Sequence, residues 1–286
     1  MTDRECVELL QWAAPRLGLR FRGFSRVRGQ VCKRLTRRLR ELELPDATAY
    51  RRRLEEDHSE WVRLDALCRV TISRFYRDKG VWDALGSELL PPLAQAATAR
   101  GEPLRCWSAG CASGEEPYTL ALVLRFAVTP RVPSGTLTWS ILATDADPAL
   151  IERTRRGCYW PATLRELPPE WEQRAFEERG GELCLWPEYR VGIELEVADV
   201  RDPPPAGPWD LLLCRNVVFT YLDREVQQKL LPELLARVRH GGLLVIGAHE
   251  SLPAEAEARF HLSRVGTLPI FRYVPPHVLA KDRVEP

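Results

Sequence analysis

Leu104-Arg105-Cys106-Trp107-Ser108-Ala109-Gly110-Cys111-Ala112-Ser113-Gly114-Glu115-Glu116-Pro117-Tyr118 is the stretch on which the fold turns. Residues 104–108 read as a short apolar strand and residues 115–126 as a helix, with a tight turn between them at Gly110 and Gly114. Outward from there the same texture repeats. Residues 137–144 predict a second strand, followed by a helix from about Asp147. Residues 209–214 and 243–246 predict two more strands, separated by a helix over 224–239. Such alternation implies an α/β fold with a mostly parallel, doubly wound sheet. Residues 157–197 interrupt it. Their 182–197 part alternates enough to predict a short antiparallel β insertion, and residues 262–273 predict a closing antiparallel pair.

Upstream of this region the pattern is helical. Val31, Leu35, Leu39 and Leu42 recur at spacings of four, four and three, one stripe of a helix over 31–44. Pro45 and Asp46 break it, and further helices are expected through Tyr50 and Leu54 and near Trp61, Leu64 and Leu67. The expected organisation is a basic all-α domain over 1–70, a connecting segment over 71–100 and an α/β domain over 101–286 with its insertion at about 157–197. The chain of 286 residues carries a net charge of +1, unevenly spread: +6 over residues 1–100 and −5 over the remainder. Arg16, Arg20, Arg22, Arg26, Arg28, Lys33, Arg34, Arg37, Arg38 and Arg40 fall in one stretch that holds no acid. A field of that sign attracts an acidic partner, and it is equally what a solvated helix face presents.

Composition excludes several classes. An apolar fraction of 45% with 28% charged residues is globular, and the 23 prolines and 18 glycines form no low-complexity tract. No apolar run approaches the ~20 residues of a bilayer span, and Met1-Thr2-Asp3-Arg4-Glu5 lacks the order of a signal peptide. A cytoplasmic protein without membrane insertion is expected. The eight cysteines form no C-x-x-C pair and read as buried free thiols, with no metal site.

In an open α/β sheet, ligands bind beyond the carboxyl ends of the strands, near the switch in strand order. The loop after the first strand is not the G-x-G-x-x-G dinucleotide fingerprint. Glu115 and Glu116 at the helix start repel a pyrophosphate and suit a cationic ligand such as a sulfonium, though both also complement a helix dipole. Asp145, at the end of the second strand, sits where a carboxylate accepts both hydroxyls of a ribose. Asp147 reads as a helix cap before Pro148. Asp199 ends another strand-like stretch, where it accepts from an adenine amino group or merely opens the turn before Pro203. Cys214-Arg215-Asn216-Val217 places two polar side chains at a pocket mouth.

Together with Thr71-Ile72-Ser73-Arg74-Phe75-Tyr76-Arg77-Asp78, these motifs resemble, in order, those of the CheR-type chemoreceptor glutamate methyltransferases, which use S-adenosyl-L-methionine. The similarity runs over roughly residues 5–275 and is most specific at 107–118. It implies a Rossmann-like methyltransferase fold behind a small helical domain. It further implies that Thr71, Ser73 and Arg77 reach the cofactor, that Gly110 lines its loop, and that Glu116 holds the methionine moiety. Asp145 would hold the ribose, Asp199 and Val200 would flank adenine, and Asn216 and Val217 would close the pocket. Arg77 and Tyr221 are the catalytic candidates. The family usually has Asn at position 71 and Thr at 73, and commonly reads R-N-V-x-I-Y-F. Here Thr220 occupies the tyrosine position and Tyr221 follows it. Residues 157–197 are also short for the family's receptor-tethering sub-domain.

The implied reaction converts S-adenosyl-L-methionine to S-adenosyl-L-homocysteine, without a metal, and forms methyl esters on glutamates of an acidic protein such as the methylation helices of a chemoreceptor. A monomer is expected, with no nucleic-acid partner: Asp202-Pro203-Pro204-Pro205 precedes the 209–214 strand and no aromatic follows it, as flipped-base chemistry would want. Two alternatives stay open. One is a methyltransferase for another acidic protein or a small-molecule acid; the other is a cofactor-binding module without turnover.

Overall fold

The computed structural model describes residues 1–24, 27–133 and 137–274. Arg26 of the basic stretch lies outside the described residues. The chain divides into two compact units, Met1–Ile72 with Thr220–Lys229, and Ser73–Phe219 with Leu230–Pro286.

In the first unit the chain forms α1 (Asp3–Ala13), α2 (Arg28–Glu41), α3 (Ala47–Glu56) and α4 (His58–Cys68). The expected stripe is the core face of α2: Val31, Leu35 and Leu39 are buried, while Leu42 falls on the C-cap. Asp46, read as a breaker, caps α3 by accepting from Ala49 N. Part of the basic stretch works inside this unit. Arg38 pairs with the buried Glu60 at 2.7 Å, which also accepts from Tyr50 Oη, and Arg34 donates to the carbonyls of Leu67 and Arg69. Lys33, Arg37 and Arg40 are exposed.

Residues 220–229 join the helical unit from the far end of the sequence. Leu19 bridges Leu222, Arg20 N and Nε donate to the carbonyls of Tyr221 and Thr220, and Tyr221 stacks against Phe24. The expected partition therefore changes at two places. The second unit begins at Ser73, so that α5 (Lys79–Ala84) and α6 (Leu90–Ala99) belong to it rather than to a connecting segment, and a piece of the expected α/β domain leaves it.

The second unit continues through β1 (Leu104–Ala109), α7 (Glu115–Val123), β2 (Trp139–Asp145), α8 (Pro148–Arg156), β3 (Cys158–Tyr159), α9 (Pro169–Ala175), β4 (Phe176–Arg179), β5 (Glu182–Leu185), β6 (Ile193–Val197) and β7 (Trp209–Leu213). Two helices, α10 (Val218–Tyr221) and α11 (Arg224–Leu235), straddle the boundary between the units. The chain closes with β8 (Val238–Val245), α12 (Ala256–Arg259), β9 (Leu262–Arg264) and β10 (Ile270–Tyr273).

Among the described residues, seven strands form one sheet in the order β6-β2-β1-β7-β8-β10-β9. The first five are mutually parallel, and β10 and β9 run antiparallel, as residues 262–273 predicted. The central strands β1 and β7 read as largely apolar runs because both faces are covered. Cys106, Leu211 and Leu243 enter one large core, and Leu212 and Leu244 are buried behind them. Cys111, Ala143 and Ile151 make a second small core.

Residues 157–197 hold a separate three-stranded antiparallel sheet, β3-β5-β4. The expected antiparallel reading of 182–197 is half right. β5 belongs to the small sheet, whereas β6 pairs in parallel with β2 as the edge of the main sheet. Its alternation of half-buried Ile193 and Leu195 with exposed Glu194 and Glu196 reflects that open edge.

The free-thiol reading of the cysteines is corrected. Cys6 of α1 is bonded to Cys32 of α2, and Cys158 to Cys184, which face each other in the β3–β5 register. Both pairs are made by tertiary neighbours that spacing does not reveal. Cys68, Cys106, Cys111 and Cys214 are free and buried. No helix among the described residues is long and apolar enough to cross a membrane.

Candidate active site

The strand order reverses beside β1, so the loops after β1, β2 and β7 meet at one rim of the sheet. The loop after β1 is held by its neighbour. Gly110 N and Cys111 N both donate to Thr144 O, at 2.8 and 2.9 Å, and Ala112 N donates to Asp145 Oδ2 at 2.9 Å. Asp145 Oδ1 accepts from Asp147 N at 3.0 Å, and Asp147 in turn caps α8 by accepting from Ala149 N. Asp145 thus ties the loop after β1 to the loop after β2. Gly110 adopts φ +75°, and a Cβ there would collide with Val217, which brings the loop after β7 against the loop after β1. Gly114 adopts φ +94°, and a Cβ would strike Thr154 and Tyr159.

Two carboxylates open α7. Glu116 accepts from Ser108 Oγ of β1 at 2.7 Å and from Arg215 Nη1 at 3.1 Å. Burial pushes its carboxyl above the usual range, opposed by the charge of Arg215, the Ser108 hydroxyl and Arg77. Glu115, 3% exposed, accepts from Ser113 Oγ. Burial raises it too, opposed by backbone N–H and by the Ser113 and Ser73 hydroxyls.

A raised folded-state value means that Glu115 contributes its full stability below the unfolded value of about 4.3. That contribution is lost as pH rises through the folded value. Glu115→Gln is therefore expected to raise the thermal midpoint by a few degrees at pH 8 and to leave it unchanged near pH 4. Unfolding scans at the two pH values check this, and a lower midpoint at pH 8 contradicts it.

Arg215 does not sit at a pocket mouth as expected. Its side chain is 3% exposed and turns inward, pairing with Asp78 at 2.7 Å as well as with Glu116. Its Nη2 also donates to Arg77 O at 2.8 Å, a carbonyl that accepts from Trp82 Nε1 as well. The guanidinium lies over the Trp82 ring, 5.2 Å from its centroid. The turn it grips is unusual: Tyr76 and Asp78, on either side of Arg77, both have left-handed φ, +56° and +63°. Tyr76 N is fixed by Thr119 Oγ1 of α7.

The loop after β7 is fixed in the same manner as the loop after β1. Asn216 adopts φ +58°, a region that Asn tolerates better than most residues. Its N–H donates to Glu250 Oε2, which also accepts from Gly247 N. Glu250, 8% exposed, thus ties the loop after β7 to the loop after β8.

Of the residues expected at the site, Ser73, Arg77, Gly110, Glu116, Asp145, Asn216 and Val217 belong to this second-unit neighbourhood. Asp199 follows β6 within a tight turn in which its carboxylate pairs with Arg201 at 2.6 Å, and Val200 lies half-buried in that turn. Thr71 and Tyr221 belong to the first unit, where Tyr221 Oη donates to Val70 O. Asp78, Ser108 and Glu250 were not expected. Extending the strand-end rule to residues 247–250 finds Glu250; no local signal marks Ser108 or Asp78.

The donor set fits a cofactor with a cationic amino-acid end and a ribose. A buried carboxylate lies at the start of α7 and a second carboxylate at the end of β2. Between them runs a loop whose Gly110 has no room for a side chain. A carboxylate accepts up to about four hydrogen bonds, so the two backbone donors on Asp145 do not preclude a diol.

A family model described as CheR methyltransferase, SAM binding domain, matches residues 71–267. A chemotaxis protein methyltransferase of Escherichia coli strain K12 is 33% identical over 247 residues, which cover 82% of this chain and 80% of that protein. One from Listeria monocytogenes is 35% identical over 187 residues, 65% of this chain and 68% of its own. An uncharacterized 104.1 kDa protein of Rhodobacter capsulatus is 35% identical over 227 residues, 78% of this chain but 23% of its own length. The chain thus spans about a quarter of that larger relative.

Proposed function

The chain belongs to the CheR methyltransferase family, and from that premise we propose that it methylates glutamate carboxylates of a chemotaxis-type receptor protein, using S-adenosyl-L-methionine and releasing S-adenosyl-L-homocysteine. The observation that carries this reading is the convergence, at the carboxyl ends of adjacent β1 and β2, of Asp145, Glu116 and the Gly110 loop.

The roles follow from charge and position. Glu116 is proposed to hold the methionine amino group: a cation beside its buried carboxyl favours the ionised form that burial disfavours. Asp145 is proposed to accept the ribose hydroxyls, and Asn216 and Val217 to close the pocket from β7. Asp199 and Val200 are proposed to flank adenine, in which case the Arg201 pair holds the Asp199 carboxylate in place. Ser73 and Gly110 complete the cofactor loop.

When bound, the cofactor supplies a methyl group already activated on a sulfonium. The acceptor glutamate is ionised at pH 7, so no residue of this chain has to remove a proton. The work left to the chain is positioning, with a carboxylate oxygen held in line at ~3–3.5 Å from the methyl carbon. Arg77 is proposed to orient that carboxylate through its permanent, bidentate charge. A distal, partial contact serves best, since tight binding of the carboxylate would stabilise the ground state equally. The +6 charge over residues 1–100 supports an acidic macromolecular acceptor, and the same reading makes the protein a cytoplasmic enzyme.

The test is a methyl-transfer assay on cytoplasmic receptor fragments beside a panel of small-molecule acids. Transfer to the fragments alone is expected. Transfer to a small acid, with the fragments left unlabelled, overturns the acceptor assignment and keeps the methyltransferase.

A further inference from the structure

Arg215 reaches both Glu116 and the turn that carries Arg77, and the activity alone assigns it nothing. Building on the function proposed above, we infer that Arg215 is a positioning residue with two separable tasks: one Nη group sets the charge of Glu116 against the cofactor, and the other holds the backbone turn that presents Arg77.

The first task follows from burial. Arg215 Nη1 lies 3.1 Å from Glu116 Oε2, and both side chains are nearly removed from solvent. The groups facing Glu116 from the surrounding elements are Ser108 of β1, Arg215 after β7 and Arg77 ahead of α5, with the thiols of Cys111 and Cys214 nearby. The thiols are pushed up by burial and stay neutral near pH 7. The ionised form of Glu116 therefore depends chiefly on Arg215, and only that form attracts an ammonium group. Without the guanidinium, less positive charge opposes burial, and the protonated form of the carboxyl gains weight.

The second task follows from backbone geometry. A non-glycine residue with positive φ is costly and persists where its surroundings fix it. Here two such residues, Tyr76 and Asp78, flank Arg77. Arg215 Nη2 bonds the Arg77 carbonyl at 2.8 Å and the Asp78 carboxylate at 2.7 Å, so it grips the turn at two consecutive residues. Stacking over Trp82, which itself donates to the Arg77 carbonyl, fixes the plane of the guanidinium. A lysine carries the charge but not the planar fork, and cannot make this set of contacts.

Three variants separate the tasks: Asp78→Asn, Arg215→Lys and Arg215→Gln. Each is read by calorimetric titration with S-adenosyl-L-homocysteine from pH 6 to 8.5, by kcat at saturating cofactor, and by thermal unfolding. Asp78→Asn is expected to lower kcat about tenfold and to leave the affinity and its pH dependence as in the wild type. Arg215→Gln should lower kcat at least as much and weaken binding about tenfold, with the loss larger at the acidic end of the range than at the basic end. Arg215→Lys should return the pH profile to that of the wild type while kcat stays low. The inference is overturned if the Arg215 variants shift only the melting temperature, or if Asp78→Asn leaves kcat unchanged. A wild-type protein that fails to bind the probe overturns the proposed function itself, an outcome distinct from wild-type binding with unaffected variants.

Discussion

Asp145→Ala is expected to remove measurable binding of S-adenosyl-L-homocysteine, a loss on the order of 100-fold or more. A ribose diol on this carboxylate makes two hydrogen bonds to a charged group, each worth about 1.5–3 kcal/mol. Losing both costs at least about 3 kcal/mol, or two decades of affinity. The substitution also frees Ala112 N and Asp147 N, so the loops after β1 and β2 lose the group that joins them. Asp145→Asn separates the two contributions. One amide oxygen still accepts, but the other position becomes a donor, so an intermediate loss is expected. Calorimetric titration measures both variants. Unchanged affinity in Asp145→Ala removes the ribose assignment.

Arg77→Ala is expected to lower kcat by about 100- to 1000-fold, the scale on which single preorganised charges act. The dissociation constant for S-adenosyl-L-homocysteine should change by no more than a few-fold. The asymmetry follows from how the residue is held. Its carbonyl is fixed by Trp82 Nε1 and Arg215 Nη2, and neither contact uses the Arg77 side chain. Truncation therefore removes the guanidinium while those backbone bonds remain. Steady-state kinetics beside the titration give the answer. Retained kcat with weakened binding makes Arg77 a cofactor anchor and removes its role towards the acceptor.

The legible part of this molecule was the part written locally. The strand at 104–108, the glycine turn, the helix start at Glu115 and the acid at 145 are consecutive or follow a strand end, so pattern and position suffice. The central strands β1 and β7 were also largely apolar, because the parallel sheet is covered on both faces there. What escaped is made by residues far apart in sequence. Arg215 looked like a rim residue because it follows the end of an apolar strand; its partners Asp78 and Glu116 lie 137 and 99 positions away. The pairs Cys6–Cys32 and Cys158–Cys184 depend on a helix packing and a strand register that spacing does not encode. The segment 220–229 reads as continuous with the α/β pattern, yet its partners are Leu19, Arg20 and Phe24. Strand β6 shows the reverse error: a correct alternation assigned to the wrong sheet, since an open edge and an antiparallel hairpin leave the same trace.

The chemical bond formed is the most direct test. Wild-type protein is incubated with methyl-labelled S-adenosyl-L-methionine and a receptor cytoplasmic fragment, and the labelled fragment is then exposed to mild alkali. A carboxyl methyl ester hydrolyses, so the label should leave as volatile methanol, and a fragment whose acceptor glutamates are replaced by alanine should take up label only at background level. Label that stays on the fragment through alkali would mean methylation at another kind of atom, such as nitrogen or sulfur, and would contradict glutamate ester formation.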